Sequence, residues 1–266
     1  MGVFEKIFFV PHPPAVLPEV GKGRELYLNR TMLAYQRFAL TVSLVQPDNI
    51  IFVSPHGVAD QKSIIVNTAA QIQDNFARYD AEQLQELCFL NTEIAHSLIL
   101  RSIGQRLKVK GEEIQTIDHG TFIPLHFIHQ YYQLFLGVNI LIPPQISDED
   151  LLYTGQLLRH VVQETGQRTV LVISGDLSHR LSPSGPYGYS PRGLAFDQYI
   201  RHIFSSGDIQ LLGAIDKTWR QEAAQCAMGP LLFMTGAIGQ PTAQTSIYSH
   251  EYPFGIGYML AEIEEV

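Results

Sequence analysis

Four histidines of this chain lie in short segments whose neighbours restrict the backbone: VPHPP at 10–14, SPHG at 54–57, IDHGTFIPLHF at 117–127 and SGDLSHRL at 174–181. A neutral imidazole is the commonest protein ligand for Fe(II), Mn or Zn, and with a pKa near 6.5 it is also the natural acid/base at neutral pH. Prolines on both sides of His12 fix φ and remove local donors, which suits a rigid ligand, although a turn with an incidental histidine reads the same in isolation. His56 repeats the arrangement: a strand, a proline, the histidine, then a glycine that lets other backbone approach. His119 stands between Asp118, which either orients an imidazole or caps the loop, and Gly120. His126 and His129 share an aromatic stretch with Phe127, Tyr131 and Tyr132, so packing competes with function there. In the last segment Asp176 and Ser178 offer local hydrogen bonds, and His179 would serve as a free acid/base beside a bound ion.

Three of these histidines come shortly after apolar runs. His12 comes after IFFV, His56 after IIFVS, and His179 five residues after TVLVIS. Such runs, bounded by Pro, Gly or Asp and alternating with longer amphipathic stretches, predict buried strands of a mostly parallel sheet flanked by helices. The ligand-binding edge of such a sheet is the carboxyl end of its strands, which is where these histidines fall. Strands are expected at Lys6 to Val10, Asn49 to Ser54, Asn139 to Ile142, Thr169 to Ser174 and Gly255 to Ile263. Helices are expected at Arg24 to Val45, much of Gln61 to Asn75, Ala81 to Ile103, Asp148 to Glu164, Gly193 to Ser205, Ile209 to Ile215 and Gln221 to Ile238. Ser147 with three following acids reads as a helix start. Stretches 111–125 and 181–192 are expected to be irregular. With no internal repeat or linker, residues 1–266 read as a single α/β domain.

Composition narrows the class. Over 266 residues the chain is 45% hydrophobic and 17% charged, enough to bury a substantial core. A net charge of -8 argues against nucleic acid or an anionic membrane as partner, since either calls for a basic face. The basic stretch Arg101 to Lys110 reads as solvated surface. Two cysteines, Cys88 and Cys226, are too few for a disulfide framework, so a reducing, cytoplasmic setting is expected. The apolar start breaks at once at prolines, and no window is long enough to span a bilayer. Homo-oligomerisation is left open.

Together, VPHPP, SPHG, DHGTFIPL, GDLSH and the closing PFGIGYMLA resemble the class III extradiol ring-cleaving dioxygenases, the family of the protocatechuate 4,5-dioxygenase catalytic subunit, which includes the Memo-like proteins. The resemblance spans nearly the whole chain. It implies a central sheet flanked by helices and an iron held by two histidines and a carboxylate, with open positions for an aromatic substrate and O2. By the same resemblance His12 and His56 are the metal histidines, His179 the acid/base and His119 a contact for substrate or oxygen. The third ligand is expected from QEAAQCAMGPLLFMTGAI, where Glu222 and Cys226 lie one helical turn apart; Glu222 completes an oxygen-activating set, whereas Cys226, at a position where Memo-like members have a cysteine, favours softer ions. His126 and His250 are further candidates for lining the substrate pocket, and Tyr187 and Tyr189 for covering an aromatic. His96, His160 and His202 read as residues away from the site.

The expected activity is therefore Fe(II)-dependent cleavage of a catechol-like or aminophenol-like aromatic by O2, with Mn, Zn or Cu as other ions. One rival is a Memo-like metal, redox or partner-binding protein without ring cleavage. Another is a zinc hydrolase or amidase on the same sheet.

Overall fold

The computed structural model describes residues 3–57 and 60–265. Its strands are β1 (Lys6–Val10), β2 (Asn49–Ser54), β3 (Ile64–Asn67), β4 (Gln71–Phe76), β5 (Ala81–Phe89), β6 (Val109–Glu112), β7 (Leu136–Leu141), β8 (Thr169–Ser174), β9 (Ala243–Glu251) and β10 (Tyr258–Glu265). Its helices are α1 (Pro18–Gly21), α2 (Asn29–Val45), α3 (Thr92–Gln105), α4 (His119–His129), α5 (Asp148–Thr165), α6 (Pro191–Ser206), α7 (Lys217–Ala223) and α8 (Met228–Ile238). Eight strands form one sheet in the order β6-β3-β7-β2-β8-β1-β10-β9, and β4 and β5 pair separately as a hairpin. The middle, β7-β2-β8-β1, is parallel throughout.

The continuous apolar runs are explained by burial on both faces. Along β1, Ile7 and Phe9 face one core, with α3, α5, α6 and α8, while Phe8 and Val10 face the other, with α2, α4 and the hairpin. The runs IIFV in β2 and VLVI in β8 divide the same way. Strands this apolar leave only their ends for polar groups, so the chemistry gathers past the carboxyl ends of β1, β2 and β8.

Several expected elements take a different form. Residues 61–75 contain β3 and most of β4 rather than a helix, and 81–89 form β5 before α3 begins. AEQLQELCF is rich in good helix formers, yet its residues are buried alternately, with Ala81, Leu84, Glu86 and Cys88 turned inward. Tertiary packing overrides the propensity there. Stretch 119–125 is helical because Asp118 caps α4, its carboxylate accepting from the amides of Gly120 and Thr121. Ser147 caps α5 as expected, accepting from Asp150 N–H at 3.1 Å. The expected helix 221–238 is broken: α7 ends at Ala224, which takes φ +52°, and α8 starts only at Met228. Residues 209–214 form a 3-10 helix. No helix among the described residues is long and apolar enough to cross a membrane.

Candidate metal centre

His12 leaves β1 already oriented. Its backbone N–H donates to Asp176 Oδ1 at 2.8 Å, and its Nδ1 hydrogen-bonds Ser174 Oγ at 2.8 Å. The ring's Nε2 is thereby turned toward His56 Nε2, 3.1 Å away. His119, the first residue of α4, closes the group: its ring stacks on His56 with centroids 4.3 Å apart, and meets His12 edge-on at 5.0 Å. One nitrogen from each of the three imidazoles lies within 4.8 Å of the others. Two nitrogens bound about 2.1 Å from one ion at tetrahedral to right angles stand roughly 3.0–3.4 Å apart, so the His12–His56 separation fits a shared ion.

The three imidazoles arrive together because α4 enters close to the strand ends. A Cβ on Gly120 would stand 2.4 Å from Ser54 Oγ and 3.2 Å from Ser174 Oγ, which is why a glycine follows His119. Asp118 accepts from Ser54 Oγ at 2.5 Å and from Thr121 Oγ1 at 2.8 Å, and Thr121 in turn accepts from Asn139. Of the two roles open to Asp118, the structure gives it the cap.

Burial keeps these rings neutral, the form that binds a metal. It pushes His12 well below its ordinary value, with the neighbouring histidines adding to the effect. His119 falls to about 3, again mainly through burial and then through His56 and Arg78. Burial lowers His56 against the opposing pull of Asp118. His179 is lowered by burial despite its bond to Leu177. Asp176, also buried, is raised to about 7.

These shifts set the acid response of the metal-free protein. The unfolded chain protonates its histidines near 6.5, above the folded values, so the unfolded state binds more protons as pH falls from 6.5 toward about 3. Stability present above pH 6.5 is lost over that window; Asp176 and Asp118, whose folded values are raised, oppose the loss. Four imidazoles outweigh two carboxyls, so urea unfolding in chelator should show lower stability at pH 5.5 than at 6.5. His119→Asn should lose about 1 kcal/mol less over that step, since a fully depressed group contributes about 1.4 kcal/mol per pH unit.

His179 stands beside this group, near enough for its charge to bear on His12 and His56. Its Nδ1 lies 3.0 Å from Leu177 O, so the proton sits on Nδ1 and Nε2 is left as an acceptor. Tyr187 meets its ring edge-on at 5.1 Å.

The expected third ligand, Glu222, is placed elsewhere: its carboxylate pairs with Arg192. Cys226 is the residue of that segment that reaches the histidines, with Sγ 3.4 Å from His12 Nε2. The break at Ala224 removes the helical turn that would put both side chains on one face. Cys226 is instead fixed in the bend, its N–H donating to Asp176 O at 3.3 Å and its sulfur accepting from Asp176 N–H at 3.2 Å. Burial raises its thiol far above the ordinary range. Asp176, whose Oδ2 is 3.7 Å from His12 Nε2, is a carboxylate beside the histidines that the sequence suggested only as a source of local hydrogen bonds.

His126 and His250 lie outside the group. His126 and His129 flank Glu86 at 2.6 and 2.5 Å along a separate cavity. His250 bonds Asp197 at 2.5 Å, and Asp197 also accepts from Ser178 N–H, so its link to His179 is indirect. His96, His160 and His202 are exposed. A cavity of about 570 Å³ adjoins the centre, lined by His56 and Cys226 and by residues of α5, α7 and α8.

A family model described as the catalytic LigB subunit of aromatic ring-opening dioxygenase matches residues 6–261. The chain is 30% identical over 266 residues to Protein CA_C1420 of Clostridium acetobutylicum, an alignment covering 97% of this chain and 57% of that protein. It is 23% identical over 120 residues to a MEMO1 family protein of Methanosarcina mazei, covering 45% of this chain and 42% of the relative. The chain thus spans little more than half the length of the first relative. Among solved structures, the uncharacterized protein JW3007 of Escherichia coli K12 shares the fold, with a TM-score of 0.65, 17% identity and coverage of 97% and 99% of the two chains.

Proposed function

Because this chain belongs to the family of the catalytic LigB subunit of aromatic ring-opening dioxygenase, we propose that it is a metal-dependent dioxygenase acting on a catechol-like or aminophenol-like aromatic. The observation that carries this reading is the convergence of His12, His56 and His119 within 4.8 Å beside a cavity. The donor set fits Fe(II), with Mn, Zn and Cu also accepting imidazole nitrogen. When bound, such an ion supplies Lewis acidity and, in the case of iron, the electron transfer that lets O2 react with an aromatic diol.

The residues supply the rest. Ser174 and the flanking prolines hold His12 in place, so the donors need little rearrangement. His179, through its free Nε2, takes the proton of a substrate hydroxyl and returns it to the ring-opened product. Tyr187 shields that imidazole from one side. Both oxygen atoms of O2 enter the product as the ring bond beside a hydroxylated carbon breaks, so no further reductant is required.

The test is anaerobic loading with Fe(II), followed by a panel of catechols and aminophenols in air. The expected result is one O2 consumed per aromatic opened, with a coloured ring-opened product. His179→Gln should lower kcat by roughly 10²–10⁴ while the protein keeps its metal. Iron-loaded protein that consumes no oxygen across the panel would count decisively against this reading.

One observation favours a second reading. A thiol rather than a carboxylate stands at 3.4 Å from His12 Nε2, and soft sulfur favours copper. In that case the protein is a Memo-like metal or redox protein without ring cleavage. Tight copper binding lost in Cys226→Ser, together with absent oxygen uptake, would support it.

A further inference from the structure

His179 sits in a loop whose successive amides, from Leu177 to Leu181, all have partners, and only one of those partners is an ionisable side chain. The N–H groups of Leu177, His179 and Leu181 donate to the backbone carbonyls of Gly257, Ala223 and Gly255 at 2.8, 2.9 and 3.0 Å. That of Arg180 donates to Ser178 Oγ, within the loop itself, at 3.1 Å. The N–H of Ser178 donates instead to Asp197 Oδ1 of α6, at 3.0 Å.

Asp197 is built into this place. Its side chain is 1% exposed, and a Cβ on Gly257 would stand 2.2 Å from Oδ1, so the carboxylate is pressed against the turn at 255–257. A buried carboxylate is costly unless both oxygens find partners. Oδ2 takes its partner from β9, where His250 Nε2 stands at 2.5 Å; against a carboxylate, which only accepts, the imidazole is the donor.

Peptide planarity carries this arrangement to the imidazole of His179. The N–H of Ser178 and the C=O of Leu177 belong to one rigid peptide unit, and Leu177 O is the atom that holds His179 Nδ1 at 3.0 Å. Fixing one end of that unit fixes the other. Hydrogen bonds in such a chain also polarise one another. Negative charge on the amide side makes the carbonyl a stronger acceptor for the Nδ1 proton and leaves Nε2 more basic. The charge of Asp197 accordingly pulls His179 upward against the lowering by burial.

The geometry points to Asp197 as a positioning residue that acts on His179 through the Leu177–Ser178 peptide, with His250 holding the carboxylate from the far side. No proton passes along this line; it fixes the tautomer and the direction of the ring. The part of His179 in turnover rests on the function proposed above, whereas the carboxylate–peptide–imidazole line rests on these hydrogen bonds alone.

The test pairs nitrogen NMR with turnover, both on the full chain. NMR of the Zn(II)-loaded protein, with His179→Gln to assign the signal, reads whether the His179 proton stays on Nδ1 at neutral pH. Oxygen uptake by the Fe(II)-loaded protein on a catechol reads kcat and KM. Asp197→Ala should lose the Nδ1–H preference and lower kcat about a hundredfold, as a small misplacement of a reacting group does, with KM changed by no more than about twofold. Asp197→Asn keeps an acceptor for Ser178 N–H, so it should preserve the tautomer and recover about tenfold of that loss. Where Asp197→Ala does not fold, His250→Ala carries the test, since His250 lines a surface cavity of about 620 Å³ and tolerates truncation. It should weaken the Nδ1–H preference and lower kcat about tenfold, and His250→Gln, with a donor in the same place, should recover most of that. An unchanged tautomer in Asp197→Ala, or in His250→Ala where only that variant folds, overturns the proposal. So does an Asp197→Asn as impaired as Asp197→Ala. A tautomer lost in Asp197→Ala, together with no oxygen uptake by the parent, upholds the positioning line and counts against the dioxygenase reading alone.

Discussion

His56→Ala should weaken divalent metal binding by roughly a hundredfold or more, while Glu222→Gln changes it less than twofold. Loss of a residue that merely orients a ligand costs about 10–100-fold in affinity, so removing one of the three proposed donors should cost at least as much. Glu222 is committed to Arg192 and contributes nothing to the site in this arrangement. Competition with a chromophoric chelator at pH 7.5 measures both variants on one scale. His12→Ala and His119→Ala should behave as His56→Ala does. Cys226→Ser adds a diagnosis, since a small loss marks the thiol as a neighbour and a large one, for copper above all, marks it as a ligand. The arrangement is wrong if Glu222→Gln loses its metal as completely as His56→Ala.

The second large effect is expected far from any donor, where α5 and α8 pack backbone against backbone. A Cβ on Gly155 would stand 2.1 Å from Phe233 O and 2.8 Å from Ala237 N; one on Gly236 would stand 2.0 Å from Leu152 O. The atoms met are main-chain atoms that cannot swing aside. Gly155→Ala or Gly236→Ala must therefore push the two helices apart across a buried face that includes Leu151, Leu158, Leu232 and Phe233. The expected cost is about 3 kcal/mol, the upper range for overpacking, or a fall in Tm on the order of 10 °C for a chain of this size. Gly104→Ala is the control: no atom of the described residues lies within 4 Å of its added Cβ, so it should be neutral or slightly stabilising. Because Met228 and Leu232 of α8 line the cavity, the two damaging variants should also bind aromatic ligands more weakly at temperatures where they remain folded.

What could be read from the chain differed by kind of signal. IFFV, IIFVS and TVLVIS declared β1, β2 and β8 because strands buried on both faces need no alternation, and the histidines beyond them follow from where such strands end. The hairpin was hidden because AEQLQELCF has helical propensity, and only contact with the second core decides otherwise. His119 was legible as a candidate site residue, but its position within ligand distance of His12 and His56 depends on the entry of α4, which Asp118 sets through a cap. Glu222 and Cys226 could not be ranked from their spacing, since the spacing has meaning only on an unbroken helix. The left-handed turn at Ala224, a residue with no such preference, gave no warning of the break. Asp176 was hidden in the same way: its place beside His12 comes from the pairing of β1 with β8.

The prolines flanking His12 and the sheet hydrogen bonds beneath it have one more consequence. Two of the proposed donors are mounted on adjoining parts of a parallel sheet and the third on a capped helix, so under the proposed function the site is assembled before any ion arrives. Proteins whose fold waits for metal select their ion through folding energy; here folding leaves that choice open. Affinity then follows the general order of divalent ions at nitrogen ligands, and the ion present in the cell-grown protein will report supply as much as preference. Metal content on purification should accordingly shift with the growth medium, while the melting profile of the stripped protein stays cooperative.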